Sequence, residues 1–342
     1  MRRPGLPARR GGRRSGRPPG PMAVARDACS PHRQFLLTVT SVLTQLQRPA
    51  RYPQPRAVLE LFKPVTWFPP MWAFTCGVVS SGASLRDHWT LIPLGIALTG
   101  PLVCGTSQAV NDWFDRHVDA INEPGRPIPS GRIPGSWGLS LAVMGTLLSL
   151  AVALLLGVSA FGATLLALAC AWAYSAPPVR LKQNGWWGNL AVGLSYEGLA
   201  WVTGAALMLG GAVPSSGVLL AALLYSLGAH GIMTLNDFKS LDGDLRMGIA
   251  SLPAQLGPVR AAWLACAVML VPQLLVVAGL LWRGDRVQAA LVALVVVLQL
   301  PLMRRLLARP RELAPWYNAT GISLYVLGMM ITATALRAGG GR

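Results

Sequence analysis

A chain of 342 residues with a net charge of +17 is built from 53% hydrophobic and only 13% charged residues. Soluble domains carry about 25% charged residues, so this composition excludes a water-soluble fold and predicts that most of the chain lies in a lipid bilayer. The charge is also unevenly placed, because the first 64 residues hold thirteen Lys and Arg against two acids. A basic surface spread over a soluble domain is thereby excluded, and we expect no nucleic-acid partner.

The amino-terminal segment, residues 1–56, is rich in Arg, Gly and Pro. It has too little apolar surface to order itself and is predicted to be a disordered tail. Two alternatives stay open, namely an arm that binds nucleic acid or anionic lipid and a translation start at Met22. Residues 57–342 are predicted to form one transmembrane domain.

Apolar runs of about 17 to 25 residues recur from Val65 onward, the length with which a helix crosses a ~30 Å hydrocarbon layer. They predict an all-α, polytopic bundle of about nine transmembrane helices. The predicted spans are 65–85, 89–110, 138–157, 159–177, 189–213, 216–235, 261–282, 287–303 and 316–336.

The loops between these spans differ in basic content, which sets the orientation. Twelve Lys and Arg lie in the loops on one side, together with the basic amino terminus, and five lie on the other. The first side is therefore predicted to be cytoplasmic, in a bacterial inner membrane, with the amino terminus on that side.

Seven of the thirteen acidic residues occupy two of the predicted cytoplasmic loops, namely Asp112, Asp115, Asp119 and Glu123 after the second span and Asp237, Asp242 and Asp244 after the sixth. The first cluster, in NDWFDRHVD, contains Asn111, Asp112, Asp115 and Asp119. Spacings of three and four residues place these side chains on about one face of a helix that leaves the membrane.

The second cluster, NDFKSLDGD, begins with Asn236 and Asp237, and Asp244 follows seven residues later, nearly eclipsed with Asp237 on a continuous helix. Asp242 falls off that face, and a helix break at Gly243 would bring it round. Four predicted spans separate the two clusters, so both are expected to face one site.

Aligned carboxylates repel one another unless a cation lies between them, and Mg²⁺ is usually held by one or two carboxylates together with substrate phosphates. Two facing clusters thus predict Mg²⁺ ions that bridge a diphosphate. The predicted metal ligands are Asp112, Asp115, Asp119, Asp237, Asp242 and Asp244. The alternative is that these acids are ordinary solvated loop residues. Two matched clusters in a chain with so few acids argue against this alternative.

A departing diphosphate also requires fixed positive charge. Basic or polar residues beside the clusters are therefore candidate phosphate contacts, with Asn111 and Asn236 assisting. They are Lys63, Arg126, Tyr174, Arg180 and Lys182. The alternative for the basic members is that the positive-inside rule alone places them there.

Two polar residues lie within predicted spans. Glu197 is an ionisable group in a membrane helix and so a functional candidate. His230 precedes Asp237 by seven residues, which predicts that it faces the same cavity, where it would contact a bound substrate. An interhelical hydrogen bond is the alternative role for each.

Together the segments NDWFDRHVDAINEPGRPIPSGRIPG, YSAPPVRLKQNGWWG and NDFKSLDGDLRMGIASLPAQLG resemble the intramembrane UbiA-type prenyltransferases, within them the chlorophyll and bacteriochlorophyll synthase branch. The resemblance extends from about Leu59 to the end. It implies a helical bundle with a lipid-accessible cavity, Mg²⁺-dependent diphosphate binding, and geranylgeranyl or phytyl diphosphate as the donor. It further implies bacteriochlorophyllide as the acceptor. His230 and Glu197 are then candidate acceptor contacts, and His230 is also a candidate ligand of the chlorin magnesium.

Within this reading, Asp115, Asp119, Asp237 and Asp244 are the predicted catalytic residues, through their hold on the metal-bound diphosphate. Two alternatives have the same chemistry, with chlorophyllide or an aromatic quinone precursor as the acceptor. A different class is a membrane transporter with acidic gates. Transporters tend to carry ionisable groups near the midplane, whereas these acids cluster at the membrane surface.

Overall fold

The computed structural model describes residues 51–339, and within that range it contains α-helices and short turns but no β-strand. A single β-bridge joins Asn184 to Ala250. The helices are α1 (Pro55–Leu61), α2 (Phe68–Ser80), α3 (Leu91–Asn122), α4 (Trp137–Leu156), α5 (Val158–Ser175), α6 (Gly185–Met208), α7 (Ser216–Asn236), α8 (Leu241–Met247), α9 (Leu252–Leu256), α10 (Pro258–Arg283), α11 (Arg286–Ala308) and α12 (Pro310–Gly339).

The predicted all-α membrane bundle is confirmed. Among the described residues, eight helices are long and apolar enough to cross a membrane, namely α3 to α7 and α10 to α12. The first of the nine predicted spans, 65–85, differs, because α2 has only 13 residues. The backbone is left-handed at Lys63, which precedes α2, and at Gly82, which follows it. The chain therefore turns at both ends of α2.

Residues 1–50 of the predicted disordered tail, 1–56, lie outside the described residues, and residues 51–56 lie within them. Its last two residues, Pro55 and Arg56, begin α1, and proline suits this place because the first turn of a helix leaves its N–H groups unpaired. Disorder of residues 1–50 stays a prediction.

Although it is short, α2 packs tightly in the middle of the bundle, against α6 and α12. Gly77 of α2 and Gly204 of α6 lie where the two backbones meet. A Cβ atom on Gly77 would come within 2.0 Å of the Trp201 carbonyl oxygen, and one on Gly204 within 2.2 Å of the Phe74 carbonyl oxygen. Small residues at both positions therefore allow the helices to approach closely, as is typical of membrane helices.

Large apolar side chains cover the outside of the bundle. Leu155 is 82% exposed and Trp282 is 92% exposed. In water such a surface would be costly, whereas in lipid it is solvated. The helices thus form a multi-pass membrane protein whose polar residues are gathered inside and at the helix ends.

The two acidic clusters lie at the ends of α3 and α7. The helices α4, α5, α6 and α7 separate them along the chain, so both ends lie on the same side of the bundle. The second cluster departs from the predicted continuous helix: α7 ends at Asn236, Asp237–Lys239 forms a 3-10 turn, and α8 begins at Leu241. The break lies at Ser240, and Gly243 lies inside α8.

Candidate active site

A central cavity of about 560 Å³ opens between the helices. Its wall is mainly apolar, with residues such as Phe68, Leu199 and Val326. At the helix ends that carry the acidic clusters, the wall includes the polar side chains of Asn111, Tyr174, Asn236 and Asn318. Further polar side chains, among them Ser107, Gln108, Tyr196 and Glu197, also line the cavity. A mainly apolar cavity with one polar end suits an amphiphilic ligand that has a charged head and a hydrocarbon tail.

At the first cluster, Asp112 is 2% exposed and accepts a hydrogen bond from Lys63 Nζ at 2.6 Å. Arg126 lies between three carboxylates, at 3.5 Å from Asp112, 2.9 Å from Asp119 and 2.6 Å from Glu123. The hydrogen bond from Arg126 lowers the pKa of the Glu123 carboxyl. Burial opposes the charge on Arg126, but these three carboxylates outweigh it and raise the pKa of Arg126 above its usual value.

Asp115 faces a different set of partners. Its Oδ1 atom accepts a hydrogen bond from Lys182 and lies 3.4 Å from Arg180 Nη2, and its Oδ2 atom accepts one from Asn111 Nδ2 at 3.1 Å. Burial lowers the pKa of Lys182, and the charge of Asp115 partly restores it. The predicted phosphate contacts Lys63, Arg126, Arg180 and Lys182 are thus all brought to the first cluster.

Within the second cluster, Asp237 Oδ2 accepts a hydrogen bond from Asn189 Nδ2 at 3.1 Å, and Asp244 Oδ2 accepts one from Ser240 Oγ at 2.9 Å. Asp244 is 6% exposed. Asp242 differs, because its side chain is 80% exposed and pairs with Arg311 at 2.8 Å.

The break at Ser240 sets this difference between the three aspartates. It starts a new helix that turns Asp242 outward and Asp244 inward. Asp242 is therefore not brought together with the other predicted metal ligands.

One cavity wall contains residues of both clusters. Tyr174 lies in it together with Asn111 from the first cluster and Asn236 from the second. The structure therefore brings the two clusters to the same end of the central cavity, as the even number of helices between them predicts.

Whether these residues suit a metal ion depends on their donor atoms. Residues 51–339 contain no group of three or more His, Cys, Asp or Glu side chains already arranged around a metal position. In the first cluster, Lys63 and Arg126 pair with Asp112 and Asp119. The four described cysteines are free. All candidate donors are carboxylate or amide oxygens, and Asp112 Oδ2 is buried without a hydrogen-bond partner. Oxygen donors with an open position suit Mg²⁺ that arrives with a diphosphate.

Two helices that line the cavity contain π-helical segments, Leu98–Cys104 in α3 and Leu194–Leu199 in α6. They bring the Tyr196 hydroxyl to 2.9 Å from Ser107 Oγ and 3.0 Å from Gln108 Nε2. Such segments are frequent at functional sites. This cluster was not among the predicted site residues, although the polar residues Ser107 and Gln108, one turn before Asn111 in an apolar span, were a signal for it.

Of the two polar residues within spans, one lines the cavity. Glu197 is 5% exposed in the cavity wall, and its Oε2 atom has no hydrogen-bond partner. The prediction that His230 faces this cavity is wrong, because Ala229 and Asn236 line the cavity and His230 does not. His230 lies in a separate pocket with Trp186, Trp187 and Leu190, where its ring is 6.0 Å from that of Trp186 in α6. Contact of His230 with an acceptor stays a prediction.

Asn318 of α12 is a second residue that our sequence analysis missed. It lines the polar end of the cavity and donates from Nδ2 to Asn236 Oδ1 at 2.9 Å. Its position, far along the chain from both acidic clusters, gave no spacing signal.

Comparison with known proteins gives a family match and close relatives. The model of the family described as "UbiA prenyltransferase family" matches residues 68–328. The bacteriochlorophyll synthase 33 kDa chain of Cereibacter sphaeroides is 56% identical over 289 residues, which are 84% of this chain and 95% of the relative. The chloroplastic chlorophyll synthase of Arabidopsis thaliana is 40% identical over 296 residues, which are 81% of this chain and 73% of the relative.

A solved structure of a UbiA homolog from Archaeoglobus fulgidus, bound to GPP and Mg²⁺, has a similar fold. It matches with a TM-score of 0.57 at 22% identity and covers 83% of this chain and 98% of its own. The match therefore shows that the two proteins share their overall fold.

Proposed function

Because this chain belongs to the UbiA prenyltransferase family, we propose that it transfers a geranylgeranyl or phytyl group from its diphosphate to the propionate carboxylate of bacteriochlorophyllide. The observation that carries the proposal is the 56% identity to a bacteriochlorophyll synthase chain along 95% of that relative. Two aspartate clusters at the polar end of an apolar cavity support it, since a prenyl diphosphate has this same division into head and tail.

We assign the diphosphate to the polar end of the cavity. Asp112, Asp115, Asp119, Asp237 and Asp244 would hold Mg²⁺ on it, and Asn111 and Asn236 would assist. When bound, Mg²⁺ neutralises the charge of the diphosphate as it enters and leaves. Lys63, Arg126, Arg180 and Lys182 already lie within 3.5 Å of carboxylates of the first cluster. Each of these cations could therefore release its carboxylate partner and pair with a phosphate oxygen instead.

The chemical step follows from the site's charge and the cavity's wall. The bond between the allylic carbon and the diphosphate oxygen breaks, and the electron pair leaves with the diphosphate, which the cations stabilise. The apolar wall keeps water from the allylic cation. A propionate oxygen of the acceptor then bonds to that carbon and gives an ester. With a pKa of roughly 4, the propionate is already ionised near pH 7, so no general base is needed.

A second acceptor, chlorophyllide, is favoured by the 40% identity to a chlorophyll synthase. The two macrocycles differ at their periphery and present the same propionate, so selectivity has to come from the shape of the apolar cavity. Small peripheral differences are worth only ~1 to 3 kcal/mol each in such a site. We therefore expect a preference for bacteriochlorophyllide rather than an absolute choice.

The test is a competition assay in membranes that contain the protein, with both chlorophyllides at equal concentration and geranylgeranyl diphosphate in excess. Esterified bacteriochlorophyllide is expected to dominate the early product. A majority of esterified chlorophyllide would overturn the assignment of the acceptor. Omission of Mg²⁺ with thorough chelation is expected to abolish both products, and activity that survives chelation would contradict the metal requirement.

The quinone-precursor and transporter alternatives give different outcomes in the same membranes. Alkylation of an aromatic carbon releases a proton and requires an acceptor for it, and Glu197 would be the carboxylate placed to receive it in the cavity wall. A transporter would lose solute uptake when the aspartates are replaced. Ester formation on a chlorophyllide excludes both as the main activity.

A further inference from the structure

We propose that Asn318 is a further positioning residue of the diphosphate site, with an amide nitrogen that orients Asn236 and an amide oxygen that accepts a hydrogen bond from a water molecule on Mg²⁺. This inference rests on the proposed function above, since it presumes a Mg²⁺-bound diphosphate at the polar end of the cavity. It adds a third helix, α12, to the two that carry the aspartate clusters.

The first observation is the amide pair. Asn318 Nδ2 donates to Asn236 Oδ1 at 2.9 Å. The other two contacts of the Asn236 side chain are long. Its Nδ2 atom lies 3.7 Å from the Met233 sulfur, and its Oδ1 atom lies 3.5 Å from Lys239 Nζ. Because a well-formed hydrogen bond is near 2.9 Å, the bond from Asn318 is the one that fixes the amide of Asn236 next to Asp237.

The second observation is an unpaired acceptor. Asn318 Oδ1 is buried and has no hydrogen-bond partner. Buried polar atoms are nearly always paired, so an unpaired one calls for a ligand or a water molecule. Rotating the Asn318 amide would not satisfy it, because Asn236 Oδ1 would then face a second oxygen instead of a donor.

Further along the same helix face, the wall of the cavity turns apolar. From α12 the wall receives Asn318, Ile322 and Val326, each four residues after the last, so all three share one face of the helix. The amide therefore lies at the polar end, and the two apolar side chains follow it toward the tail end. Tyr317, beside Asn318 in sequence, is fully buried in the core and anchors this turn of α12.

The chemistry of the ligands decides what the free oxygen accepts. Diphosphate oxygens are acceptors, and so are the ionised propionate and the ring carbonyls of a chlorophyllide, so none of them donates to Asn318 Oδ1. Mg²⁺ usually keeps several water molecules, which are strong donors. A metal-bound water is therefore the partner that suits this atom.

The test compares three variants of the full-length chain in detergent. Asn318→Leu keeps the volume and removes both amide atoms, whereas Asn318→Asp keeps an oxygen acceptor. Thr320→Val is the matched control, because the Thr320 hydroxyl bonds only to the Trp316 carbonyl oxygen of its own helix. The measurements are Mn²⁺ binding by electron paramagnetic resonance, with geranylgeranyl diphosphate present and the acceptor absent, and the KM for bacteriochlorophyllide.

Loss of a residue that supports metal ligands typically lowers metal affinity by ~10 to 100-fold. We expect Asn318→Leu to weaken Mn²⁺ binding by about that factor and Thr320→Val to match the wild type. Asn318→Asp keeps the acceptor but loses the donor to Asn236, so it should recover only part of the binding that Asn318→Leu loses. The KM for bacteriochlorophyllide should stay unchanged in Asn318→Leu.

Wild-type Mn²⁺ binding in Asn318→Leu, or a changed acceptor KM alone, would overturn the inference. If Asn318→Leu does not insert into membranes, Asn318→Ser, whose hydroxyl is too short to bridge to Asn236, takes its place with the same expected loss. Failure of the wild type to bind Mn²⁺ with the diphosphate would count against the proposed function instead.

Discussion

Lys63 and Arg180 are the two non-glycine residues with a left-handed backbone in residues 51–339, at φ 46° and 41°. Both direct their side chains at the first cluster, Lys63 at Asp112 and Arg180 at Asp115. A left-handed conformation costs an L-residue about 1–2 kcal/mol. Such strain gathers at functional sites, where the surrounding structure imposes it. The positive-inside rule requires cations on this side but no strained backbone, so the two residues are better explained by the site.

Replacing Arg180 with glycine should separate stability from activity. Arg180→Gly relieves the strained backbone, while Arg180→Ala retains most of the strain, and both remove the guanidinium. We expect the glycine variant to be the more stable of the two by about 1 kcal/mol, measured by thermal unfolding in detergent. A lost charge-assisted hydrogen bond is worth about 1.5–3 kcal/mol, so both should lose transfer activity by ~10-fold or more. Full activity in either variant would contradict a phosphate contact.

Neutralising one aspartate in each cluster should abolish transfer while the protein still inserts. Asp115→Asn and Asp237→Asn keep the size of the side chain but remove a charge that would hold the metal, so we expect activity to fall ~100-fold or more. Asp242→Asn is the matched control, because Asp242 is exposed and pairs with Arg311. It should retain most of the activity in the same esterification assay. An equal loss in all three variants would contradict the placement of Asp242 outside the site.

At the residue scale, the sequence predicted which residues share a face within one helix but not which residues of different helices contact one another. The spacing of Asp112, Asp115 and Asp119 predicted a shared helix end. No spacing rule connects Asn318 to Asn236, 82 residues before it, or tells that His230 faces away from the cavity. Those outcomes depend on how helices rotate against one another, which is decided by packing.

At the element scale, the crossing of α2 and α6 should be intolerant of added volume. A Cβ atom on Gly204 would lie 2.2 Å from the Phe74 carbonyl oxygen, a backbone atom that cannot rotate away. We expect Gly204→Ala to destabilise the protein by about 1–3 kcal/mol, the usual cost of overpacking, as measured by thermal unfolding in detergent.

Gly279→Ala is the control for that variant, because Gly279 lies inside α10 with nothing within 4 Å of its added Cβ. Alanine favours a helix by up to about 1 kcal/mol over glycine, so this change should be neutral or slightly stabilising. If both variants unfold at the wild-type temperature, the close crossing at Gly204 does not contribute to stability.

Helix lengths were predicted well where apolar runs are uninterrupted and poorly where single residues end them. The expected span 65–85 is cut to Phe68–Ser80 by turns at Lys63 and Gly82, which hydropathy does not detect. The expected helix across the second cluster is broken at Ser240. That break is what brings Asp244 inward and leaves Asp242 outside, so the roles of the two residues depend on where the new helix begins.

At the scale of the whole molecule, one asymmetry organises the bundle. The acids of the two clusters, the cations that pair with them and the polar end of the cavity lie at the same ends of the helices, and the rest of the cavity wall is mainly apolar. A soluble diphosphate head and a lipid-soluble tail could thus be bound at one site without either leaving its preferred environment. The number of helices between the clusters, rather than any one contact, makes this possible.

That arrangement predicts the orientation of the chain, with its amino terminus and both clusters in the cytoplasm. Cysteines introduced at Gly125 and Gly243 lie beyond the first cluster and within the second, and added Cβ atoms meet no atom closer than 3.9 Å there. In a background without native cysteines, neither should react with a membrane-impermeant thiol reagent added from the periplasmic side. Cysteine at Arg86, in the exposed loop before α3, should react.

After the membranes are inverted, the pattern should reverse, with Gly125→Cys and Gly243→Cys labelled and Arg86→Cys protected. The reason is that the positive-inside rule and the even number of helices between the clusters act independently, yet both place the clusters together. Labelling of Gly125→Cys and Gly243→Cys from opposite sides would contradict the shared site. Labelling of both from the periplasm would keep the shared site but reverse the orientation, and the diphosphate would then have to come from the periplasmic side.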